Sequence, residues 1–346
     1  MKSASEKKLL KKKKARFSPL TVVVLVILIV YALSLLYLLF WAIMASFKIN
    51  QYVFDYDTYG IPNYERYKKL GELIKDPQGN AVLKAILASQ SVLNAEKEGS
   101  LLFYTYRNIL SVFKEDIPSM FGKDARTVYM AEMYLNSFLY AGGCALVSTV
   151  VPCITAYCCS RFDFKIGKIL HTVVIVVMII PIVGSLPSEI QMANKLGIFN
   201  EIWGLWIMKA NFLGLYFLVF FDIFKALPNG YTEAAKIDGA SNWQVLWSIA
   251  LPLIRNTFFT AFLIKFIEFW NDYQTPLVFM YSYPTVARGL NDLINAPINV
   301  PGTAFNPTHV PAQMATVVLT ALPIFVLFVA FQKRLLGNLT MGGIKG

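Results

Sequence analysis

The chain has 346 residues, 56% of them hydrophobic and only 15% charged, against about 25% charged in ordinary soluble domains. Its formal net charge is +11, and it carries four cysteines. These values exclude a disordered chain, a collagen, a disulfide-bonded mini-scaffold and an ordinary soluble enzyme, and they leave an integral membrane protein with several spans.

From the N-terminus, eight bases (Lys2, Lys7, Lys8, Lys11 to Lys14 and Arg16) form an arm over residues 1–19. Next to a long apolar run, that pattern fits a cytoplasmic anchor against anionic headgroups and not a nucleic-acid surface. Phe17 to Phe47 is free of charge and gives the first span. It is too long for a signal-peptide core, so it reads as retained. Residues 48–129 follow as the one sizeable polar block, with 10 acids against 11 bases. Helical patterning over 63–75, 80–97 and 100–115 predicts an enlarged helical extracytoplasmic loop.

Residues 133–160 and 169–188 read as spans two and three. Residues 202–221 read as span four, with Lys209 snorkelling near one end. Residues 256–280 give span five and 312–332 span six. The expectation is an all-α integral membrane protein, with residues 20–346 as one six-span domain and both termini on the same face. The segments assigned to that face hold 17 Lys and Arg, while the two short loops opposite hold only Lys195 and Arg288. The positive-inside rule makes the richer face cytoplasmic. Cys144, Cys153, Cys158 and Cys159 share one apolar segment and read as plain buried thiols.

No catalytic constellation, metal-ligand cluster or Walker A loop stands in the sequence, so no catalytic residue, metal ligand or cofactor is assigned to this chain. His171 and His309 are its two histidines and read as ordinary solvated or interfacial groups. The informative stretch is the cytoplasmic loop of about 225–256. Thr232 is placed to cap a short helix with Glu233 in its first turn, Gly239 to reverse the chain, and Ser241 with Gln244 to form a capping box. Ala234, Ala235 and Ala240 leave a low-relief surface that a partner can approach closely.

Glu233-Ala234-Ala235, three residues, Gly239, nine residues, Ile249, one residue and Leu251-Pro252 resemble the EAA signature of binding-protein-dependent ABC importer permeases at every defined position. The run Ala235 to Ala240, Trp270-Asn271-Asp272 with Pro276-Leu277, and Lys195 to Asn200 further resemble the maltose-type second permease of the carbohydrate-uptake subfamily. The resemblance implies an ABC type I importer permease fold. It implies a second permease subunit (a heterodimer), two ATP-binding subunits that hold ATP and Mg, and an extracytoplasmic solute-binding protein. It further implies that Glu233, Ala234, Ala235, Asp238, Gly239 and Ala240 couple to the ATPase. Block 63–129 is longer than the family usually has between its first two spans.

Lys265, Glu268 and Asp272 lie at i, i+3 and i+7, on one face of span five. An isolated charge at mid-membrane costs about 2.5–3.5 kcal/mol, so these groups must pair, face other helices or face water. A packed ion pair, a translocation path lined by Glu268, Asn271 and Asp272, and a proton relay all satisfy that demand. The alternative to an ATP-driven permease is an ion-coupled secondary transporter using Glu268 and Asp272.

Overall fold

A computed structural model describes residues 19–49, 53–54, 58–63, 96, 103–162, 164–180, 184–295 and 309–339. The basic arm and the patterned stretches 63–75 and 80–97 fall outside those residues or almost wholly so. Four helices are long and apolar enough to cross a bilayer: Pro19–Ser46, Met130–Arg161, Asn242–Asn271 and Val310–Gln332.

Helix α1 (Pro19–Ser46) buries only Ala45 and Ser46 within the chain. Its Leu, Val and Ile side chains are otherwise exposed from Leu20 to Phe40, which is stable only in hydrocarbon. From residue 103 the chain forms α2 (Tyr104–Val112), then an antiparallel hairpin of β1 (Lys114–Ile117) and β2 (Arg126–Tyr129). The register pairs Lys114 with Tyr129 and Ile117 with Arg126. The all-α expectation misses this hairpin. Its strands are four residues each, too short for a legible alternation, and its tight turn uses positive φ at Phe121 (56°) and Gly122 (74°).

Helix α3 (Met130–Arg161) is the keel of the molecule, packing against the later helical segments Ile202–Lys209, Leu215–Ala226 and Leu251–Asn271. Next comes α4 (Lys165–Ile179), shorter than the expected third span. Its end has a local cause, since Ile180 precedes Pro181 and adopts extended angles, φ −80° and ψ 118°. After α5 (Leu186–Lys195), the expected fourth span also breaks, into α6 (Ile202–Lys209) and α7 (Leu215–Ala226). Gly214 between them has φ 154° and ψ −177°, a conformation essentially confined to glycine. Helix α8 (Asn229–Ile237) and α9 (Asn242–Val245) follow, and α9 runs through a π turn (Leu246–Ala250) into α10 (Leu251–Asn271). The chain ends on α11 (Gln274–Phe279), α12 (Val286–Asn295) and α13 (Val310–Leu339).

Three apolar clusters hold these elements. Phe217, Phe220 and Phe224 of α7 meet Tyr157 and Ala156 of α3 and Ile254 of α10 at one end. Tyr140 and Cys144 meet Phe266, Phe269 and Trp270 in the middle. Ile109, Phe113, Val128, Met133, Val286 and Leu293 close the hairpin end. Close approach needs small residues at two places. Trp206 donates its indole N–H to Leu139 O at 3.0 Å and occupies the space beside Gly143. A Cβ on Gly204 would lie 2.0 Å from Ile198 O.

Polar fasteners tie the hairpin to the loop before α12. Lys123 pairs with Glu201 at 2.8 Å and donates to the Tyr283 hydroxyl at 2.8 Å. Arg126 pairs with Glu132 at 2.7 Å and donates to Ser282 O at 2.9 Å. Arg288, only 2% exposed, pairs with Glu115 and donates to Tyr281 O at 2.8 Å. Burial pushes the Glu115 carboxyl up to about 7, against the pull of Arg288. The native state therefore holds this proton more tightly than the unfolded chain. That advantage is full below the ordinary carboxylate range and is lost as pH rises through about 7.

Two outcomes follow for the purified chain in detergent. Between about pH 5 and pH 8 the wild type loses thermal stability more steeply than Glu115→Gln, read as the difference between their melting curves. Gly204→Ala forces the α5–α6 connection apart and costs about 1–3 kcal/mol, read as a lowered melting temperature.

Candidate functional site

Two features stand apart from ordinary packing: a capped elbow on the side away from the hairpin, and a polar cavity beside α10.

The elbow is built from local rules. Pro228, with φ −58°, starts α8, and Asn229 and Gly230 continue it, so the helix begins earlier than the expected cap at Thr232. Glu233 accordingly lies in the second turn and not in the first. At the other end Gly239 has φ 82°, a conformation that a Cβ strains. Its N–H donates to Lys236 O at 3.1 Å, and Ala240 N–H donates to Ala235 O at 2.9 Å. This Schellman arrangement satisfies the last carbonyls of α8 and reverses the chain. The capping box is present: Gln244 N–H donates to Ser241 Oγ at 3.3 Å, and Ser241 N–H to Gln244 Oε1 at 2.7 Å. Ala235 is buried beneath the elbow, while Glu233, Ala234, Asp238 and Gly239 are exposed and Ala240 is partly so. Exposed Tyr231, Ile237, Trp243 and Trp247 surround them. Arg161 at the end of α3 donates to Asn229 Oδ1 at 2.7 Å and to Leu227 O at 2.9 Å, which fixes where the elbow leaves the bundle.

From the capping box the chain runs as one rod of 30 residues, Asn242–Asn271, about 45 Å long. Pro252 lacks an N–H, and the π turn just before it absorbs the irregularity: Leu251 N–H donates to Leu246 O, five residues back.

Toward its far end the rod borders a cavity of about 480 Å³, lined by Ser148, Lys209, Asn211, Tyr216, Lys265 and Glu268 among others. The break between α6 and α7 forms one wall. Non-helical backbone at membrane depth survives only where protein or water satisfies it, and here Ser148 Oγ donates to Lys209 O at 3.1 Å. Lys265 pairs with Glu268 at 2.8 Å and lies 5.3 Å from the centre of the Tyr216 ring. The cavity thus offers a carboxylate, an ammonium, an amide and an aromatic face, which suits a neutral polyhydroxylated solute better than an ion.

The structure does not bring Glu268, Asn271 and Asp272 together. Glu268 lines the cavity. Asn271 donates to Ile267 O at 3.0 Å and lines a separate groove with Thr320 and Ile324. Asp272 leaves the helix, accepts from the Tyr140 hydroxyl at 2.8 Å and from Thr275 N–H at 3.1 Å, and so caps α11. Neighbouring Trp270 is buried and donates to Thr320 O at 3.1 Å. Sequence reasoning missed Ser148, Asn211 and Tyr216. The signal was Asn211 and Gly214 inside an otherwise apolar run.

The family model for the binding-protein-dependent transport system inner membrane component matches residues 148–339. The melibiose/raffinose/stachyose import permease protein MelC of Bacillus subtilis is 27% identical over 219 residues, covering 63% of this chain and 77% of that protein. The maltodextrin permease protein MalD of Streptococcus pneumoniae is 27% identical over 271 residues, covering 74% and 88%. The sn-glycerol-3-phosphate permease protein UgpE of Yersinia pestis is 28% identical over 203 residues, covering 58% and 69%. A solved chain from a bacterial ABC transporter that imports the acidic polysaccharide alginate shares the fold, with a TM-score of 0.61 and 18% identity over 96% of this chain and 98% of its own. The ion-coupled alternative finds no support in these relatives, and its two carboxylates have different partners, Lys265 for Glu268 and Tyr140 with Thr275 for Asp272.

Replacing Lys265 by Met strands the Glu268 carboxylate. The expected result is a fall in folded, membrane-extractable protein. The cost is smaller than the about 2.5–3.5 kcal/mol of an isolated mid-membrane charge, because the Glu268 side chain is 58% exposed beside the polar cavity. Adding Glu268→Gln to the same chain restores the yield. A single variant that accumulates like wild type would mean that Glu268 faces water unaided.

Proposed function

The chain belongs to the family of binding-protein-dependent transport system inner membrane components, and from that membership we infer that it is the permease subunit of an ATP-driven importer whose solute is a carbohydrate. It is a transport component and not an enzyme. ATP and Mg are handled by separate ATP-binding subunits, and an extracytoplasmic binding protein delivers the solute. The carbohydrate assignment draws on MelC and MalD, and on a cavity whose mixed donors, acceptors and aromatic face match hydroxyl-rich rings.

In this reading α4 and the α6–α7 pair complete six spans with the four long helices. The positive-inside balance then puts both termini and the elbow in the cytoplasm. A second permease subunit, different from this one, packs beside it. The elbow docks on an ATP-binding subunit through the exposed surface around Glu233, Ala234, Asp238 and Gly239, with Ala235 and Ala240 allowing close approach.

One observation carries the proposal: the chain reversal at Gly239 is closed by backbone hydrogen bonds on one side and by the Ser241 capping box on the other, and it leads directly into the rod that borders the cavity. A push on α8 therefore moves Glu268 and its neighbours without being absorbed by a flexible linker.

The test is ATP-driven uptake in proteoliposomes of the complex purified with its gene neighbours, after a sugar screen for stimulated ATP hydrolysis. Gly239→Asp and Glu233→Lys are expected to abolish uptake while membrane levels stay at wild type. Undiminished uptake in both would remove the coupling assignment.

A further inference from the structure

The hairpin meets α12 at a small cavity of about 150 Å³, lined by Glu115 and Asp116 of β1, Asp292 of α12 and the apolar side chains of Phe113 and Met133 among others. Arg288 is the cation of this junction. It donates from Nη2 to Glu115 Oε1 and from Nη1 to Tyr281 O at 2.8 Å, and its guanidinium lies 4.5 Å from the centre of the Tyr281 ring. The contact is uneven. One oxygen of Glu115 is held, while the other, Oε2, is buried with no hydrogen-bond partner among the described residues. Arg288 Nε is likewise without one, because the Asp292 carboxylate stands 3.6 Å from it, beyond hydrogen-bond reach.

A carboxyl and a carboxylate make different demands on such a place. With a proton on Oε2, Glu115 keeps its other oxygen on Arg288 and carries no stranded charge. Without that proton, a charged oxygen stands in the interior unpaired, which is costly unless water reaches it. The cavity that Glu115 lines is roomy enough to hold water. Among the charges around Glu115, Arg288 draws out the ionised form and Asp292 opposes it. The others are engaged elsewhere or face solvent. Asp116 accepts from the Thr127 hydroxyl at 2.6 Å, Arg126 of β2 pairs with Glu132 of α3 at 2.7 Å, and Lys123 of the turn pairs with Glu201 at 2.8 Å. Lys114 is exposed, and Arg107 of α2 lies over the Tyr104 ring. Burial outweighs Arg288, so the proton stays on Glu115 until about pH 7.

We propose that Glu115 is a proton-operated clasp: protonated, it closes the hairpin onto α12, and ionised, it admits water to the cavity and lets the hairpin lift from α12 more readily. The clasp is independent of what the chain transports. Its consequence for uptake rests on the function inferred above, in which the hairpin end faces outward. Extracytoplasmic pH then sets how firmly that end stays closed over an arriving solute.

The test is hydrogen exchange of the full chain in detergent, read by mass spectrometry and corrected for the intrinsic pH dependence of exchange. Between about pH 6 and pH 8, protection over residues 114–129 is expected to fall about tenfold and to level off above about pH 7. Glu115→Gln, which cannot ionise, abolishes that dependence. Asp292→Asn, which removes the like charge, shrinks the fall and brings the levelling to lower pH. A merely structural contact would move neither. Wild-type protection that ignores pH, or a Glu115→Gln chain that responds as wild type does, overturns the proposal. An equal fall over α8 (Asn229–Ile237) also overturns it, since the whole chain is then destabilised. If Glu115→Gln fails to fold, Asp292→Asn decides alone, and an unmoved profile there overturns the clasp. In proteoliposomes of the complex at fixed internal pH, wild-type uptake falls as the external pH rises over the same range, and Glu115→Gln flattens that profile. Identical profiles in the two overturn the consequence for transport, and an absence of ATP-driven uptake altogether counts against the inferred function instead.

Discussion

A bilayer offers no water to a backbone N–H or C=O, and most of this architecture answers that constraint. Unbroken helix is the default, as α1, α3, the Asn242–Asn271 rod and α13 show. Each departure comes with its own partner. The gap between α6 and α7 is met by Ser148 on α3. The end of the rod is met by Asp272, which turns back to cap α11 while Tyr140 donates to it. Pro252 is accommodated by a π turn in the residues just before it. Polar groups such as Ser148 on α3 and Asp272 just past α10 thus meet freed backbone groups, which is why the hydrophobic run can be interrupted at all.

The same constraint separates the moving parts from the fixed ones. Aromatic packing of Phe217, Phe220 and Phe224 on Tyr157 locks α7 to α3 near the elbow. Beyond that lock the elbow itself is mostly solvent-facing, held by Arg161, the Gly239 turn and the Ser241 box. An element with so little burial, whose Gly239 reversal and Ser241 box are both closed by local hydrogen bonds, is stiff within itself and weakly bound to the bundle. That combination suits a lever.

Legibility in the sequence followed the range of the interactions. The elbow was readable because its turns depend on residues within five positions: Gly239 needs a positive φ, and Ser241 and Gln244 cap each other. Its start was misplaced, since Pro228 serves as a helix start as readily as a helix end. Spans one, two and six were readable from unbroken apolar length, whereas span five, expected over 256–280, begins earlier as the rod and ends at Asn271, where Asp272 turns the chain into α11. The breaks in spans three and four were written in Pro181 and Gly214, which a composition window averages away. The hairpin and the scattering of Glu268, Asn271 and Asp272 were not readable. Both depend on partners far along the chain, Arg288 for Glu115 and Tyr140 for Asp272, and spacing on one helix says nothing about them.

The fasteners at the hairpin end join four separate stretches of chain: the strands, the start of α3, the Asn200–Glu201 corner and the loop before α12. Asn200 and Ser282 exchange two hydrogen bonds of 2.8 Å in the interior of this joint. A rim stitched in this way cannot part along its own seams without uncovering Arg288. Access to the interior from that side therefore calls for the whole rim to tilt as one plate, with the hinge lying deeper, where the helices are already broken.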